Sequence, residues 1–381
     1  MSVESDLRKD GIEVIKKLDT LKVNSIARNV ALRLCETFPD FNLNQNDLFI
    51  KLSRLDMYIA KMPEGMAEAN YFYKNSSVYF KDGLTVDEHE HISDEDLEEF
   101  AIHECIHYIQ EIKDKRNYLL RMGLCDYTEF KIYGLGLNEA SVQLMASKVL
   151  SIPKEYVKYF NITFETNSPS YYPLECCLVN QLAYLVGEDI LFESTINSND
   201  NFKNKLIECI GYKNFMTIQN NIDKLLMSEE EIIKINNKIV SIDDRNKRVD
   251  NLIKKINSLK DTITSVFIKT QNLIVSSYFN KAFVDIYDLE SVEKYRRKLY
   301  NFKDYLGSTD GYTFFNDFYV NKMMDLEDKY YLLENNVSST SLYMVKKKTS
   351  KILSFFRYIR SLFTARNLND YDNEFENTKN K

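Results

Sequence analysis

Apolar residues recur along most of this chain at steps of three and four positions, which is the spacing of one face of an α-helix. In the first 60 residues the pattern runs through Ile12, Val14, Ile15, Leu18 and Leu21. The same spacing predicts helices over residues 94–113, 137–150, 174–191 and 230–267. Prolines and glycines, which interrupt helices, number only 5 and 10 in 381 residues. We therefore expect a mainly helical protein.

One short stretch departs from the helical spacing. Residues 67–82 read AEANYFYKNSSVYFKD, in which two aromatic, β-favouring runs flank a polar cluster at residues 74–77. Such a pattern predicts a β-hairpin. Together with the helices it predicts an α+β fold that is predominantly α.

The helix predicted over residues 94–113 has clear start signals. Ser93 is a good N-cap residue, and Asp94, Glu95 and Asp96 would fill the first turn. Negative charge there complements the positive end of the helix dipole. Any motif in the following residues should therefore lie on a helix.

A longer apolar repeat lies in residues 230–267, with steps that alternate between three and four. Its members are Ile235, Ile239, Ile242, Val249, Ile253, Ile256 and Ile263, with Asn246 and Lys260 at two polar breaks. The repeat predicts one long helix, in a helical hairpin or a short coiled coil. A helix that simply packs on its neighbours is the plainer interpretation.

The pattern of charge changes again near the end of the chain. Residues 346–366 contain seven basic residues and no acid, and their apolar residues fall on one helical face. A basic amphipathic helix can lie on an anionic membrane surface or bind a protein partner. It can equally pack on its own protein with its charges in solvent. Both interpretations stay open.

These changes of pattern divide the chain into three predicted regions. Residues 1–225 would form one domain, with its principal motifs in residues 60–150. Residues 226–345 would form a helical, coiled-coil-like region, and residues 346–381 the basic segment and a polar tail.

Composition narrows the functional classes. The net charge is −7 and the pI is 5.4, whereas a nucleic-acid-binding domain typically shows a basic patch or a pI above about 9. We therefore expect no nucleic-acid partner. The sequence has no signal peptide and no apolar run of about 18 residues, and its six cysteines include no C-x-x-C pair. These features predict a cytoplasmic protein with reduced thiols.

The clearest chemical signal is His103-Glu104-Cys105-Ile106-His107, which holds two of the four histidines in the chain. On a helix, residues four apart lie on the same face, so the two imidazoles can bind one Zn²⁺. Glu104 lies beside that face and could activate a water without being a ligand. Cys105 falls on another side of the helix and is interpreted as a packing residue.

A catalytic zinc site needs a third protein ligand. The other histidines, His89 and His91, lie upstream on an acidic segment and are interpreted as loop residues. No histidine follows His107, which excludes the HExxHxxGxxH arrangement. The better candidate lies downstream, in the sequence GLNEASVQ at residues 136–143.

With HECIH followed by this second segment, the chain resembles the gluzincin zinc metallopeptidases. In that group an HExxH helix precedes a helix that carries a glutamate, often in an Asn-Glu pair. The resemblance implies that His103, His107 and Glu139 are the zinc ligands. It implies that Glu104 is the general base and that Gln143 supports a zinc-bound histidine.

The resemblance implies two more parts. A hairpin before the active-site helix would line the cleft, where residues 67–82 could pair with an extended peptide by strand addition; the alternative is a hairpin that only covers the core. A tyrosine would donate a hydrogen bond to the oxyanion, and Tyr171, Tyr172 and Tyr184 all lie downstream of the predicted ligands. Tyr172 precedes Pro173 and is expected in an extended segment, so it is the chosen candidate.

The predicted function is that of a zinc-dependent metallopeptidase with a zincin-like fold, acting on a peptide or protein substrate. Two other hypotheses remain. In one, a non-catalytic zinc-binding domain acts as a partner- or membrane-binding module through its helical region and residues 346–366. In the other, the chain is a helical scaffold without metal.

Overall fold

The computed structural model describes residues 3–9, 11–65, 67–83, 94–128, 132–242 and 247–335. Most of these residues are helical, which confirms the predicted class of a mainly α protein with small sheets. The helices of the described residues are α1 (Val3–Lys9), α2 (Thr20–Thr37), α3 (Gln45–Leu52), α4 (Asp94–Gln110), α5 (Leu135–Val149), α6 (Pro173–Val186), α7 (Glu188–Ile196), α8 (Asn201–Ile210), α9 (Tyr212–Val240), α10 (Lys247–Val284), α11 (Leu289–Asn301) and α12 (Phe314–Glu334).

The strands of the described residues form two four-stranded sheets and one hairpin. The first sheet contains β1 (Glu13–Lys17), β2 (Asp56–Lys61), β3 (Ala69–Phe72) and β4 (Ser77–Lys81), in the order β1-β2-β4-β3. The second contains β5 (Glu111–Lys113), β6 (Leu119–Met122), β7 (Cys125–Tyr127) and β8 (Ile132–Tyr133), in chain order. The hairpin pairs β9 (Glu155–Tyr159) with β10 (Ile162–Thr166).

The predicted hairpin at residues 67–82 is confirmed. Its strands β3 and β4 pair antiparallel, with Asn70 opposite Tyr79. β4 also pairs in parallel with β2, so β3 stands at an edge of the first sheet. The helix α4 packs against β3. This contact brings the HExxH helix next to a sheet edge.

The helical interpretation of residues 12–21 was wrong. Residues Glu13–Lys17 form β1, which pairs antiparallel with β2. Val14 and Ile15 are 45% and 49% exposed, so no buried helical face holds them. Both are β-branched, which favours a strand, and the chain pairs with β2 on either side of an irregularity at Ile15.

Two predicted helices were too long. The helix expected over residues 94–113 ends at Gln110, because the next three residues pair with β6 as the strand β5. The helix expected over residues 174–191 is interrupted at Gly187, whose φ of 123° no helix allows. A second helix, α7, follows directly.

The single helix expected over residues 230–267 was also wrong. The described residues place the end of α9 at Val240 and the start of α10 at Lys247, and Glu231 and Lys255 form an ion pair between the two helices. Ile235, Ile256 and Ile263 are buried, but Ile253 is 45% exposed. The apolar repeat therefore does not form one continuous buried stripe.

The chain forms two compact units. The first contains Met1–Ile274 and Tyr305–Thr309, and the second contains Val275–Asp304 and Asp310–Lys381. No helix within the described residues is long and apolar enough to cross a membrane. The predicted basic segment at residues 346–366 lies outside the described residues, as do His89, His91 and Ser93.

The first unit is built around α4 and α5. Five residues of α4 are fully buried at helical spacing: Leu97, Ala101, Ile102, Cys105 and Ile106. Of the fifteen residues of α5, twelve are buried. Because interiors are packed as densely as crystals, neither helix can rotate without disturbing many contacts. The side chains that these helices carry are therefore held in place.

The second unit has a core of aromatic residues. The ring of Phe279 meets those of Tyr295 and Phe302 edge to face, with centroids 5.7 Å and 5.6 Å apart. The hydroxyl of Tyr295 donates to the carbonyl of Phe279 at 3.0 Å. A capping box between Asp288 and Ser291 starts α11.

Candidate metal centre

The three predicted ligands meet at one point in the first unit. His103 and His107 lie one turn apart on α4, and α5 packs against α4 and brings Glu139 to them. The two Nε2 atoms are 3.0 Å apart, and each lies 3.4 Å from Oε2 of Glu139. Two ligands held about 2.0–2.1 Å from a tetrahedral zinc ion are about 3.3 Å apart. The side chains therefore fit a single ion of this size.

The ligand group is mostly buried. The side chains of His103 and Glu139 are each 13% exposed, while that of His107 is 5% exposed. Protein atoms thus surround most of the ligand group.

Gln143 sets the orientation of His103. Its Oε1 lies 3.0 Å from Nδ1 of His103, and its amide nitrogen donates to Ser147 Oγ at 3.4 Å. Because an amide oxygen only accepts, Nδ1 carries the proton and Nε2 keeps a lone pair directed at the ligand group. Gln143 is one turn beyond Glu139 on α5, as the sequence pattern predicts.

The charges of the ligand group are strongly coupled. Burial lowers the pKa of His107, but the carboxylates of Glu139 and Glu104 outweigh it and raise that pKa to about 8. Burial likewise favours a protonated Glu139, but the two imidazoles hold the pKa of its carboxyl well below the usual range. An ionised carboxylate is thus ready as a ligand, and a metal ion would displace the imidazole proton.

Glu104 lies beside the ligand group and outside it. The side chain is buried, and its Oε2 accepts the backbone N–H of Tyr71 in β3 at 2.6 Å. Burial raises the pKa of Glu104, and the two imidazoles offset this only in part. A carboxylate with a raised pKa accepts a proton more readily at neutral pH, as a general base must. Sequence reasoning missed Tyr71, because a backbone N–H leaves no mark in the sequence.

Tyr172 is brought to the same site. The expected extended backbone was wrong, since Tyr172 has φ 50° and ψ 42°, in the left-handed region, and is the N-cap of α6. Pro173 disfavours the right-handed conformation at this position, but a tyrosine with positive φ is uncommon. Such strained residues cluster at functional sites. The ring lies over that of His103, with centroids 6.0 Å apart and planes inclined by 28°.

The hydroxyl of Tyr172 faces the acids of the site. Burial raises its pKa well above the usual value, and the charges of Glu139 and Glu104 raise it further. The hydroxyl therefore keeps its proton and can donate a hydrogen bond. The other two candidates have other contacts: Tyr171 donates to Glu68 at 2.5 Å, and the ring of Tyr184 packs on that of Tyr305.

A buried polar network joins the two helices that carry the ligands. Asn138, the neighbour of Glu139, is fully buried; its oxygen accepts the N–H of Leu124 at 2.9 Å, and its amide donates to Gln110 at 3.3 Å. Gln110, at the end of α4, donates to the carbonyl of Thr195 at 2.9 Å. A Cβ at Gly123 would lie 2.1 Å from the oxygen of Asn138. The asparagine of the Asn-Glu pair thus has a structural role that the sequence did not reveal.

Comparisons of this chain with protein-family models, with curated proteins and with solved structures return no match. The site is therefore classified from the arrangement of its own residues. It is a group of two histidines and a glutamate that could hold a metal ion, with a buried carboxylate and a tyrosine hydroxyl beside it.

Proposed function

We propose that this chain is a zinc-dependent peptidase in which His103, His107 and Glu139 hold the ion and Glu104 is the general base. The observation that carries the proposal is the spacing of the three ligand atoms, 3.0 Å, 3.4 Å and 3.4 Å, with a second buried carboxylate beside them. A purely structural zinc site has no use for that second carboxylate. The order of the motifs supports a zincin-like core of the gluzincin type as part of this proposal.

When bound, zinc would supply Lewis-acid chemistry, which polarises a peptide carbonyl and makes a water molecule more acidic. Glu104 takes the proton of the attacking water and delivers it to the leaving amine. The hydrogen bond from Tyr71 holds one carboxylate oxygen of Glu104. The other oxygen would exchange the proton.

Tyr172 donates its hydroxyl proton in a hydrogen bond to the carbonyl oxygen as negative charge develops there. A fixed donor in a buried site stabilises that charge far more than water does. The left-handed backbone of Tyr172 and the stacking of its ring on His103 hold the hydroxyl before substrate arrives.

The substrate is a peptide or protein segment in extended conformation, bound along the edge strand β3. The N–H of Tyr71 points away from β4, so the carbonyl of Tyr71 and the backbone of Ala69 share that direction. The carbonyl of Tyr73 already accepts from Lys113 at 3.2 Å, which ends the usable edge. A short stretch of main chain remains for strand addition.

The experiment pairs Glu104→Gln with Glu139→Gln in the full chain. We expect the first variant to keep one zinc per chain and lose hydrolysis of a peptide library, because it lacks only the base. The second variant should lose zinc affinity, because it lacks a ligand. Zinc is measured by elemental analysis, and peptides by mass spectrometry with and without a chelator.

If Glu104→Gln hydrolysed peptides at the wild-type rate, Glu104 would not be the general base. A wild-type protein that binds zinc but cleaves no library peptide would favour the non-catalytic zinc module. A wild-type protein that takes up no zinc would favour the metal-free scaffold.

A further inference from the structure

The helix that carries Glu139 begins without a cap of its own. The N-cap residue of α5 is Gly134, which has no side chain to bind the free N–H groups of the first turn. The carboxylate of Asp223, from α9, takes this place. Its two oxygens accept the N–H of Gly134 at 3.0 Å and the N–H of Gly136 at 2.9 Å.

The start of α5 is also tightly packed against its neighbours. A Cβ at Gly136 would lie 2.9 Å from the carbonyl oxygen of Ile222, the residue before Asp223. A Cβ at Gly134 would lie 3.0 Å from the carbonyl oxygen of Leu124. Gly136 therefore lets the backbones of α5 and α9 approach closely, and Gly134 allows a similar approach of Leu124. The carboxylate of Asp223 then links α9 to the start of α5.

The first turn of α5, which Asp223 binds, lies next to the proposed ligand Glu139. Glu139 follows Gly136 by three residues, which is less than one turn and about 4.5 Å along the helix axis. A helix rotates about 100° per residue, so a small slip at its start changes the direction of Glu139 markedly.

We propose that Asp223 is a positioning residue, which fixes the rotation of α5 and thereby the place of Glu139 in the ligand group. This inference rests on the proposed role of Glu139 as a zinc ligand. Asp223 itself touches neither the ion nor the substrate. Replacing a group that hydrogen-bonds a metal ligand lowers metal affinity by about 10- to 100-fold. Asp223 bonds the start of the helix and not the ligand itself, so we expect a loss at the lower end of this range.

The test measures zinc affinity of the full chain by competition with a chromophoric chelator, and the absorption spectrum after Co²⁺ replaces zinc. Asp223→Asn should fold, as judged by circular dichroism, and bind zinc about 10-fold more weakly. Its Co²⁺ spectrum should change, because the ligand geometry changes. Asp223→Glu, which keeps the charge on a longer side chain, should give a smaller loss.

The matched control is Asp288→Asn, which removes the carboxylate that accepts the N–H of Ser291 at the start of α11 in the other unit. We expect it to lower stability and leave zinc affinity unchanged. Wild-type affinity and an unchanged Co²⁺ spectrum in both Asp223 variants would overturn the inference. So would loss of fold in both, because the contact would then be structural. If the wild type and Glu139→Gln bind zinc equally, the proposed ligand set fails instead.

Discussion

Two glutamates at the site occupy similar surroundings, but their pKa values are shifted in opposite directions. Both lie close to His103 and His107, and burial raises the pKa of each. In Glu139 the attraction to the imidazoles outweighs burial, whereas in Glu104 burial outweighs it. Paired carboxyls whose pKa values are pushed apart take different roles. The residue with the lower pKa suits a permanent ligand, and the other suits a group that exchanges protons.

A substitution of the single residue Tyr172 tests whether its hydroxyl stabilises the oxyanion. Replacing it with phenylalanine removes the hydroxyl and keeps the ring on His103. We expect kcat to fall about 100- to 1000-fold, the usual cost of removing one oxyanion donor, while zinc affinity stays unchanged. Steady-state kinetics on a cleaved library peptide would measure this. Tyr171→Phe, which loses only the bond to Glu68, should retain kcat; full activity in Tyr172→Phe would assign the donor elsewhere.

A second pair of acids lies buried away from the ligands. Both oxygens of Glu175 in α6 and Oε1 of Glu229 in α9 are buried without a hydrogen bond from another described residue. Burial raises the pKa of Glu175 to about 7, and burial and then the charge of Glu175 raise that of Glu229. Tyr159 of β9 also lies near both. The pair is stable when its carboxyls are protonated.

This pair predicts a pH dependence of stability. Between pH 4.5, the ordinary value for Glu175, and about 7, its folded-state value, the unfolded chain has lost a proton that the folded protein retains. Glu175 therefore lowers the free energy of unfolding as pH rises through this window, by on the order of 3 kcal/mol. Glu175→Gln mimics the protonated acid and should lack the part of the fall that Glu175 contributes.

Urea titrations of wild type and Glu175→Gln across the window measure the difference between the two curves. At pH 8 the variant should be the more stable protein, and at pH 4.5 the two should agree. Glu155→Gln, at an exposed position of β9, should follow the wild type. Parallel curves for wild type and Glu175→Gln would contradict the prediction.

At the scale of elements, the sequence predicts the type of most helices better than their ends. The helical spacing of apolar residues predicted α4, α5 and α6, because burial of one face depends on nearby residues. The end of α4 was missed because Glu111 bonds the hydroxyl of Tyr71 at 2.7 Å and pairs with Lys113. Those contacts, and the pairing of β5 with β6, outweigh the helical spacing of residues 111–113.

The strand β1 and the break between α9 and α10 also depend on contacts that apolar spacing does not show. Val14 and Ile15 match a helical repeat, but their segment pairs with β2, with Val14 opposite Ala60 and Lys16 opposite Ile59. The break between α9 and α10 falls in a stretch whose apolar spacing alone predicted continuity. Spacing reports which side chains could share a face, and it carries no information about whether a partner surface exists.

At the scale of the whole molecule, the six site residues all belong to the first unit. The three-region division expected from the sequence, and a membrane or partner role for residues 346–366, stay predictions. A ligand that binds only the folded state stabilises it according to its affinity. Metal should therefore affect the first unit directly.

We expect zinc removal to lower the thermal stability of the first unit. At free zinc about 1,000 times the dissociation constant, binding adds about 4 kcal/mol, which corresponds to several degrees in the unfolding midpoint. Differential scanning calorimetry with zinc and with a chelator measures the shift. Glu139→Gln should show a much smaller shift, and an equal shift in that variant would argue against its ligand role.

The sequence by itself determined the features that depend on neighbours along the chain. These are the helical content, the hairpin at residues 67–82, and two histidines one turn apart with a carboxylate between them. The tertiary structure alone decided which distant groups meet. Asp223 and Gly136 are 87 positions apart and Tyr71 and Glu104 are 33 apart, and their contacts follow from how buried helices and strands pack. Local spacing encodes a face of a helix, whereas the partner of that face is set by packing of the whole core.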